Sequence, residues 1–139
     1  MIILSSILFL IFLALSLLHL SWAFGSSWGF EDALPKNEDG KRMLNPKKLD
    51  SFIVGFGLLL FGCFYLIKAG IVPFEIPPFV ISVASWVIPG IFLLRAIGDF
   101  RYVGFSKKVR NTTFAKKDTS FYSPLCLSIS VIGFILGMV

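Results

Sequence analysis

Cysteine and histidine are scarce in this chain, and their scarcity excludes most familiar kinds of catalytic centre. Of the 139 residues only Cys63 and Cys126 are cysteine, and only His19 is histidine. No CxxC pair and no Cys/His spacing suited to zinc occurs, so both cysteines are interpreted as small apolar helix residues. No phosphate loop, nucleophile–base pair or haem-binding histidine pair is present either. We therefore expect no metal and no cofactor, and the pattern favours a protein that is not an enzyme.

Apolar side chains, by contrast, are abundant and are gathered into four blocks. They make up 56% of the chain, and the mean hydropathy is +0.85. Soluble domains have about 45–50% apolar residues, and a bilayer core requires ~20 of them in a row. We predict an all-α membrane protein of one domain, with four transmembrane helices in an antiparallel bundle. Their expected ranges are about 2–24, 52–70, 77–98 and 123–139.

Proline and polar residues mark the second and third helices. Asp50 or Ser51 is expected to cap the second helix, and Lys68 near its other end is expected to snorkel outward. Pro89 lies inside the third helix. Because proline has no N–H, it should free the carbonyl of Ser85 and kink the helix.

The distribution of basic residues predicts an orientation. The loops 25–51 and 99–122 carry five and six bases, Arg95 adjoins the second loop, and the turn between helices two and three has only Lys68. Short cytoplasmic loops are enriched in Lys and Arg. We therefore predict that both loops are cytoplasmic, that both termini lie outside, and that the protein resides in a cell membrane.

The fourth helix carries a narrow stripe of small residues. Ser123 is expected to cap the helix, with proline following it. Cys126, Ser130, Gly133 and Gly137 then share one face, and the last two form a GxxxG. Small residues in membrane helices mark close helix contacts. We expect this face to pack within the chain, with a homodimer or another protein's helix as the alternative partner.

Ionisable and aromatic residues collect near the cytoplasmic ends of helices one and three. Arg95 and Asp99 are four residues apart, and His19 lies three residues before Trp22, so each pair shares a helix face. Ionisable groups in membrane segments are rare and suggest function. The alternative is that the pair snorkels into headgroups while His19 bonds a backbone carbonyl. We predict a polar pocket formed by His19, Trp22, Arg95, Asp99, Arg101 and Tyr122.

The loop 99–122 interleaves basic residues with aromatic ones. A basic segment beside a membrane attracts anionic lipid, at about 1 kcal/mol per base. An aromatic belt around an ordinary cytoplasmic loop is the alternative interpretation. We predict a lipid-facing basic set consisting of Lys107, Lys108, Arg110, Lys116 and Lys117.

Several short runs along the chain are similar to a known family. They are Arg95–Phe105, Thr113-Phe-Ala, Asp118, Tyr122-Ser-Pro-Leu-Cys126, His19-Leu-Ser-Trp22, Trp28-Gly, Ala33-Leu-Pro35 and Asp39-Gly40. With these runs the chain resembles the domain of unknown function 3995 family over essentially its whole length. The resemblance implies a small bacterial integral membrane protein with four helices, and it implies no particular activity.

Three functional hypotheses follow. The first is a non-enzymatic membrane module whose cytoplasmic face binds anionic lipid or a partner. The second is a small-molecule permease or membrane enzyme built around His19, Arg95 and Asp99. The third is an accessory subunit that docks another helix on Gly133 and Gly137. Nucleic acid is not expected as a partner, because the basic charge is better explained by topology and anionic lipid.

Overall fold

A computed structural model of the chain describes residues 1–26, 28, 30, 33–35, 37, 39, 41, 47–98 and 103–139. Over these residues the protein is helical and contains no strand. The helices are α1 (Ile2–Ala23), α2 (Lys48–Lys68), α3 (Pro78–Ile97), α4 (Thr113–Lys117) and α5 (Ser123–Gly137), with a π-helical turn (Asp118–Tyr122) between the last two. Four stretches are long and apolar enough to cross a membrane: α1, α2, α3 and the continuous stretch Thr113–Gly137. The predicted all-α class with four candidate spans is confirmed.

The chain forms two compact units. The first consists of Met1–Ser26, Pro46–Pro89 and Val131–Val139, and so contains α1, α2, the first part of α3 and the end of α5. The second consists of Ser27–Asn45 and Gly90–Ser130, and so contains the end of α3, α4, the π-helical turn and the start of α5. Each unit has its own buried centre, with Phe12 and Tyr65 in the first and Phe114 and Asp118 in the second.

In the first unit, α1 packs against α2 through small residues and aromatic rings. The hydroxyl of Ser16 donates a hydrogen bond of 2.6 Å to the carbonyl of Gly55. Phe12, one turn earlier, stacks on Tyr65 with ring centroids 6.1 Å apart. Contact positions fall along α1 as they rise along α2, so the two helices are antiparallel. An acceptor stabilises a serine hydroxyl in an apolar contact, and glycine lets the backbone come close enough to supply one.

The end of α5 packs on α3 in the same unit. A β-carbon at Gly133 would lie 2.8 Å from Cβ of Pro89, and one at Gly137 would lie 3.1 Å from the carbonyl oxygen of Ser85. These pairings show that α3 and α5 are antiparallel. Gly137 therefore lies against the carbonyl that Pro89 leaves without an intrahelical donor. The two glycines of the GxxxG make their close contacts within the chain.

Lys68 corrects one prediction, because its side chain turns inward rather than outward. Its Nζ donates to Ser85 Oγ at 3.0 Å and to the Leu136 carbonyl oxygen at 2.6 Å. The last four carbonyls of a helix have no intrahelical donor, and Leu136 is in the last turn of α5. Lys68 supplies that donor from α2, so one ammonium group joins three helices.

Helix α2 begins earlier than predicted, at Lys48 instead of residue 52. The backbone N–H of Lys47 donates to Asp50 Oδ2 at 2.8 Å, so Asp50 lies inside the first turn. Asp50 is the third residue of the helix, and its carboxylate accepts from the N–H of Lys47, which is the residue at the cap position. Neither Asp50 nor Ser51 is the cap that the sequence predicted.

The last ten residues of the predicted loop 99–122 are helical. Thr112 caps α4, because its Oγ1 accepts a hydrogen bond from the Ala115 N–H at 3.0 Å. The chain then makes the π-helical turn, in which the N–H of Ser123 bonds to the carbonyl of Asp118. Pro124 follows and has no N–H to continue the α-helical pattern, which favours a wider turn at this point. Ser123 is therefore an internal residue and not the first cap.

Candidate functional site

Two glycines bring the chain back onto the end of α3 in the second unit. Gly98 and Gly104 have φ angles of +93° and +83°. A β-carbon at Gly98 would overlap the carbonyl group of Val103, so both conformation and space require glycine there. Just beyond this crossing, the N–H of Phe105 donates to the carbonyl of Ala96 at 2.8 Å. The crossing holds residues 103–106 against the helix end.

Asp118 is the centre of a buried polar network in this unit. The residue is fully buried. Its Oδ1 accepts from Arg95 Nη2 at 2.9 Å and from Ser123 Oγ at 3.0 Å. Its Oδ2 accepts from the Gly104 N–H at 2.7 Å and lies 3.2 Å from Lys107 Nζ. An ionised carboxylate has about four acceptor positions, so each is used and Asp118 joins α3, the loop and α5.

Lys107 was predicted to face lipid with the other loop bases, and the structure corrects that prediction. The side chain is completely buried, and its Nζ donates to the carbonyl of Gly104 at 3.0 Å. It also bonds Thr119 Oγ1. A buried ammonium is tolerated only when it is paired and hydrogen-bonded, and Asp118 with these two oxygens meets that condition. Lys107 therefore belongs to the buried network and not to the exposed basic set.

The network takes the negative charge of this region out of contact with solvent. Asp118 is the single acid between residues 103 and 139, and it is shared by Arg95 and Lys107. Deleting one member of a buried ion pair typically costs about 3–5 kcal/mol, because the partner stays buried without a counter-charge. The carboxylate is therefore buried, and the exposed bases nearby, Lys108, Arg110 and Lys116, have no exposed acidic side chain among residues 103–139. These three bases are called the basic surface below.

An open depression of about 570 Å³ lies on this basic surface. Its three cationic side chains, Lys108, Arg110 and Lys116, are exposed. Arg110 is held in place, because its Nη2 donates to the carbonyl of Phe105 at 3.0 Å. The arrangement can attract an anion and offer hydrogen-bond donors to it. The depression is lined by Lys108, Val109, Arg110, Asn111 and Lys116.

The residues of the predicted polar pocket have the following surroundings. In the first unit, His19 Nδ1 lies 2.8 Å from the carbonyl oxygen of Leu15, to which it donates. The His19 ring meets Trp22 edge-on, with centroids 4.8 Å apart. A hydrogen bond from His19 to a backbone carbonyl was the alternative to the predicted polar pocket, and this bond is present.

Of the other pocket residues, Tyr122 lies in an aromatic cluster of the second unit. Its ring centroid is 5.9 Å from that of Phe114 and 5.8 Å from that of Phe121. Asp99 and Arg101 lie outside the residues that the structure describes. The convergence of His19 and Trp22 with Arg95, Asp99, Arg101 and Tyr122 stays a prediction.

The sequence interpretation missed the central role of Asp118. It paired Arg95 with the acid four residues away, whereas the described partner lies twenty-three residues further on. Two signals pointed to Asp118: it is the single acid among the bases of residues 103–122, and it is one of the residues that carry the family resemblance. Among the described residues, no group of three or more His, Cys, Asp and Glu side chains forms a metal-ligand set.

The four spans define this chain as a multi-pass α-helical membrane protein. A family model described as "Protein of unknown function (DUF3995)" matches residues 12–133. The chain therefore belongs to that family, as the resemblance implied. No curated protein and no solved structure matches the chain.

Proposed function

We propose that this protein is a membrane module that binds anionic phospholipid headgroups at its basic surface, on the cytoplasmic side of a bacterial plasma membrane. One observation carries the proposal. Lys108, Arg110 and Lys116 surround a single open depression, while the nearest acid in the chain sequence, Asp118, is buried in a network of its own. A phosphate group that enters the depression would meet three cations.

The size of the effect favours a lipid surface as the source of the anion. A base near an anionic membrane contributes about 1 kcal/mol, so three bases contribute roughly 3 kcal/mol, or about two orders of magnitude in affinity. That attraction falls off within a Debye length, about 8 Å at physiological salt. Lys108 and Arg110 lie just before Thr113, where the last span begins, and Lys116 lies in the first turn of that span. Their place in the sequence therefore keeps them beside the headgroups.

The depression is open, which favours binding over catalysis. Enclosed sites exclude water and strengthen electrostatic interactions, whereas an open basic surface attracts charge without isolating it. An open site also suits a headgroup whose acyl chains remain in the bilayer. We infer that the chain recognises the headgroup charge and that it does so as an integral membrane protein.

The test is native mass spectrometry of the purified protein titrated with phosphatidylglycerol or with phosphatidylcholine of the same acyl chains. We expect the wild-type chain to prefer phosphatidylglycerol. The triple variant Lys108→Gln/Arg110→Gln/Lys116→Gln should lose most of that preference.

The matched control removes the same charge from the other basic loop. The control variant is Lys41→Gln/Lys47→Gln/Lys48→Gln, in the segment 25–51 and the first turn of α2, where five bases are balanced by five acids. It should keep the wild-type preference. An unchanged preference in the first triple variant, or an equal loss in the control, would contradict the proposed function.

A further inference from the structure

The exposed bases of the depression come from two different segments of the chain. Lys108 and Arg110 lie in the irregular stretch before α4, whereas Lys116 lies on α4. Short irregular segments do not hold a fixed spacing unless side chains tie them down. The relative placement of the three charges therefore depends on whatever joins these segments.

Asp118 makes that connection. Its Oδ2 holds the Gly104 N–H and Lys107 Nζ, which fixes the start of the irregular stretch. Its Oδ1 holds Arg95 on α3 and Ser123 on α5. Lys107 immediately precedes Lys108, and Asp118 itself follows α4 directly. Both segments that carry the exposed bases are thus anchored on one carboxylate.

We propose that Asp118 is a positioning residue of the anion-binding depression, and that its buried carboxylate sets the preference of Lys108, Arg110 and Lys116 for anionic headgroups. This inference rests on the proposed function and adds how the site is held. Asp118 contacts no ligand itself, since it is fully buried and each of its oxygens is occupied by two donors.

Net charge and positioning predict opposite results when Asp118 becomes Asn. The substitution removes a negative charge, so an effect of net charge alone would strengthen binding to anionic lipid by about fivefold. Loss of the carboxylate would instead leave Arg95 and Lys107 without their counter-ion. Lys107 would then no longer hold Lys108 in place, and the irregular stretch before α4 would separate from α4. Positioning therefore predicts weaker discrimination in a protein of higher positive charge.

The experiment compares the phosphatidylglycerol and phosphatidylcholine affinities of wild type and Asp118→Asn by the same mass-spectrometric titration. We expect the ratio of the two affinities to fall at least about threefold, against the direction of the charge change. Thermal melting in detergent is recorded for each protein, so that the ratio is measured only on folded material. A ratio that rises or stays constant would overturn the inference.

A second variant tests the inference without any change of charge. Ser123→Ala removes one of the four donors to Asp118 and is expected to lower the ratio less than Asp118→Asn does. If Asp118→Asn does not fold, Ser123→Ala alone decides the inference: a lower ratio supports it and an unchanged ratio overturns it. If the Lys108/Arg110/Lys116 variant loses its preference and neither of these variants does, the proposed function stands and the positioning role falls. If that triple variant is unaffected, the proposed function itself fails.

Discussion

Gly133 and Pro89 approach so closely that a β-carbon on the glycine would lie 2.8 Å from Cβ of the proline. The same β-carbon would lie 3.1 Å from the Tyr65 hydroxyl oxygen. A proline that interrupts α3 and a glycine in α5 are therefore complementary parts of one contact. The relationship explains why the GxxxG motif is needed within a single chain.

Replacing Gly133 by Leu should destabilise the protein. The side chain would force apart α3 and α5, and overpacking of this kind typically costs about 1–3 kcal/mol. Gly57→Leu is the matched control, because a β-carbon at Gly57 would have no atom within 4 Å beyond its chain neighbours and its own helix backbone. Melting in detergent should show a lower midpoint for Gly133→Leu and no loss for Gly57→Leu. Equal midpoints for the two variants would show that the α3–α5 contact does not stabilise the fold.

Replacing Tyr65 by Phe should leave the protein at least as stable as wild type. The Tyr65 side chain is buried, and its hydroxyl has no hydrogen-bond partner among the described residues. A buried hydroxyl without a partner costs about 1–3 kcal/mol, while the ring stacking on Phe12 is kept in the variant. The free energy of unfolding measured in mixed micelles should therefore stay constant or rise. A clear loss would mean that the hydroxyl has a partner such as an ordered water.

The sequence predicted those features of the fold that depend on local composition. Four apolar blocks became four candidate spans, and the small-residue stripe placed Gly133 and Gly137 at a helix contact. Pro89 likewise predicted a free carbonyl at Ser85, because proline has no N–H to donate to it. Each of these features follows from a pattern within one segment, which is why the residue types alone were sufficient.

Contacts between distant residues could not be read in the same way. Helix geometry favours a partner four residues away, which predicted Asp99 for Arg95, and Asp99 lies outside the described residues. The fold also brings Asp118 to Arg95, and no local pattern indicates that partner. Lys107 and Lys108 are adjacent and chemically identical, yet one is buried and the other exposed. Lys68 turns inward because Leu136, sixty-eight residues away, offers it a carbonyl acceptor. In each case the partner of the charged side chain is set by which residues the fold brings close, and not by the neighbouring sequence.

The orientation in the membrane stays a prediction and can be tested by labelling. With Cys63→Ala and Cys126→Ala as the background, Lys41→Cys and Lys108→Cys should be protected from a membrane-impermeant thiol reagent in intact cells. Glu75→Cys, in the exposed turn after α2, is the control and should be labelled from outside. The reason is the concentration of twelve of the thirteen bases in and beside the two long loops. Labelling of Lys41→Cys or Lys108→Cys from outside would contradict the predicted orientation.

Gly98→Ala should be among the most damaging single substitutions in the second unit. Gly98 and Gly70 both have a positive φ, +93° and +79°, so alanine is strained by roughly 1–2 kcal/mol at either position. At Gly70 a β-carbon meets no other atom within 4 Å, whereas at Gly98 it overlaps the carbonyl of Val103 and presses on Gly104. Gly104 cannot retreat freely, because its N–H is bonded to the buried Asp118.

The two alanine variants therefore separate backbone strain from the close approach of the two backbones. Thermal melting should show a modest loss for Gly70→Ala and a loss larger by at least about 2 kcal/mol for Gly98→Ala, the difference being the cost of moving the crossing. The same shift of Gly104 would disturb the donors to Asp118, so Gly98→Ala should also lower the preference for phosphatidylglycerol while Gly70→Ala leaves it intact. Similar melting midpoints and similar lipid preferences in the two variants would show that the crossing at Gly98 neither stabilises the fold nor supports the basic depression.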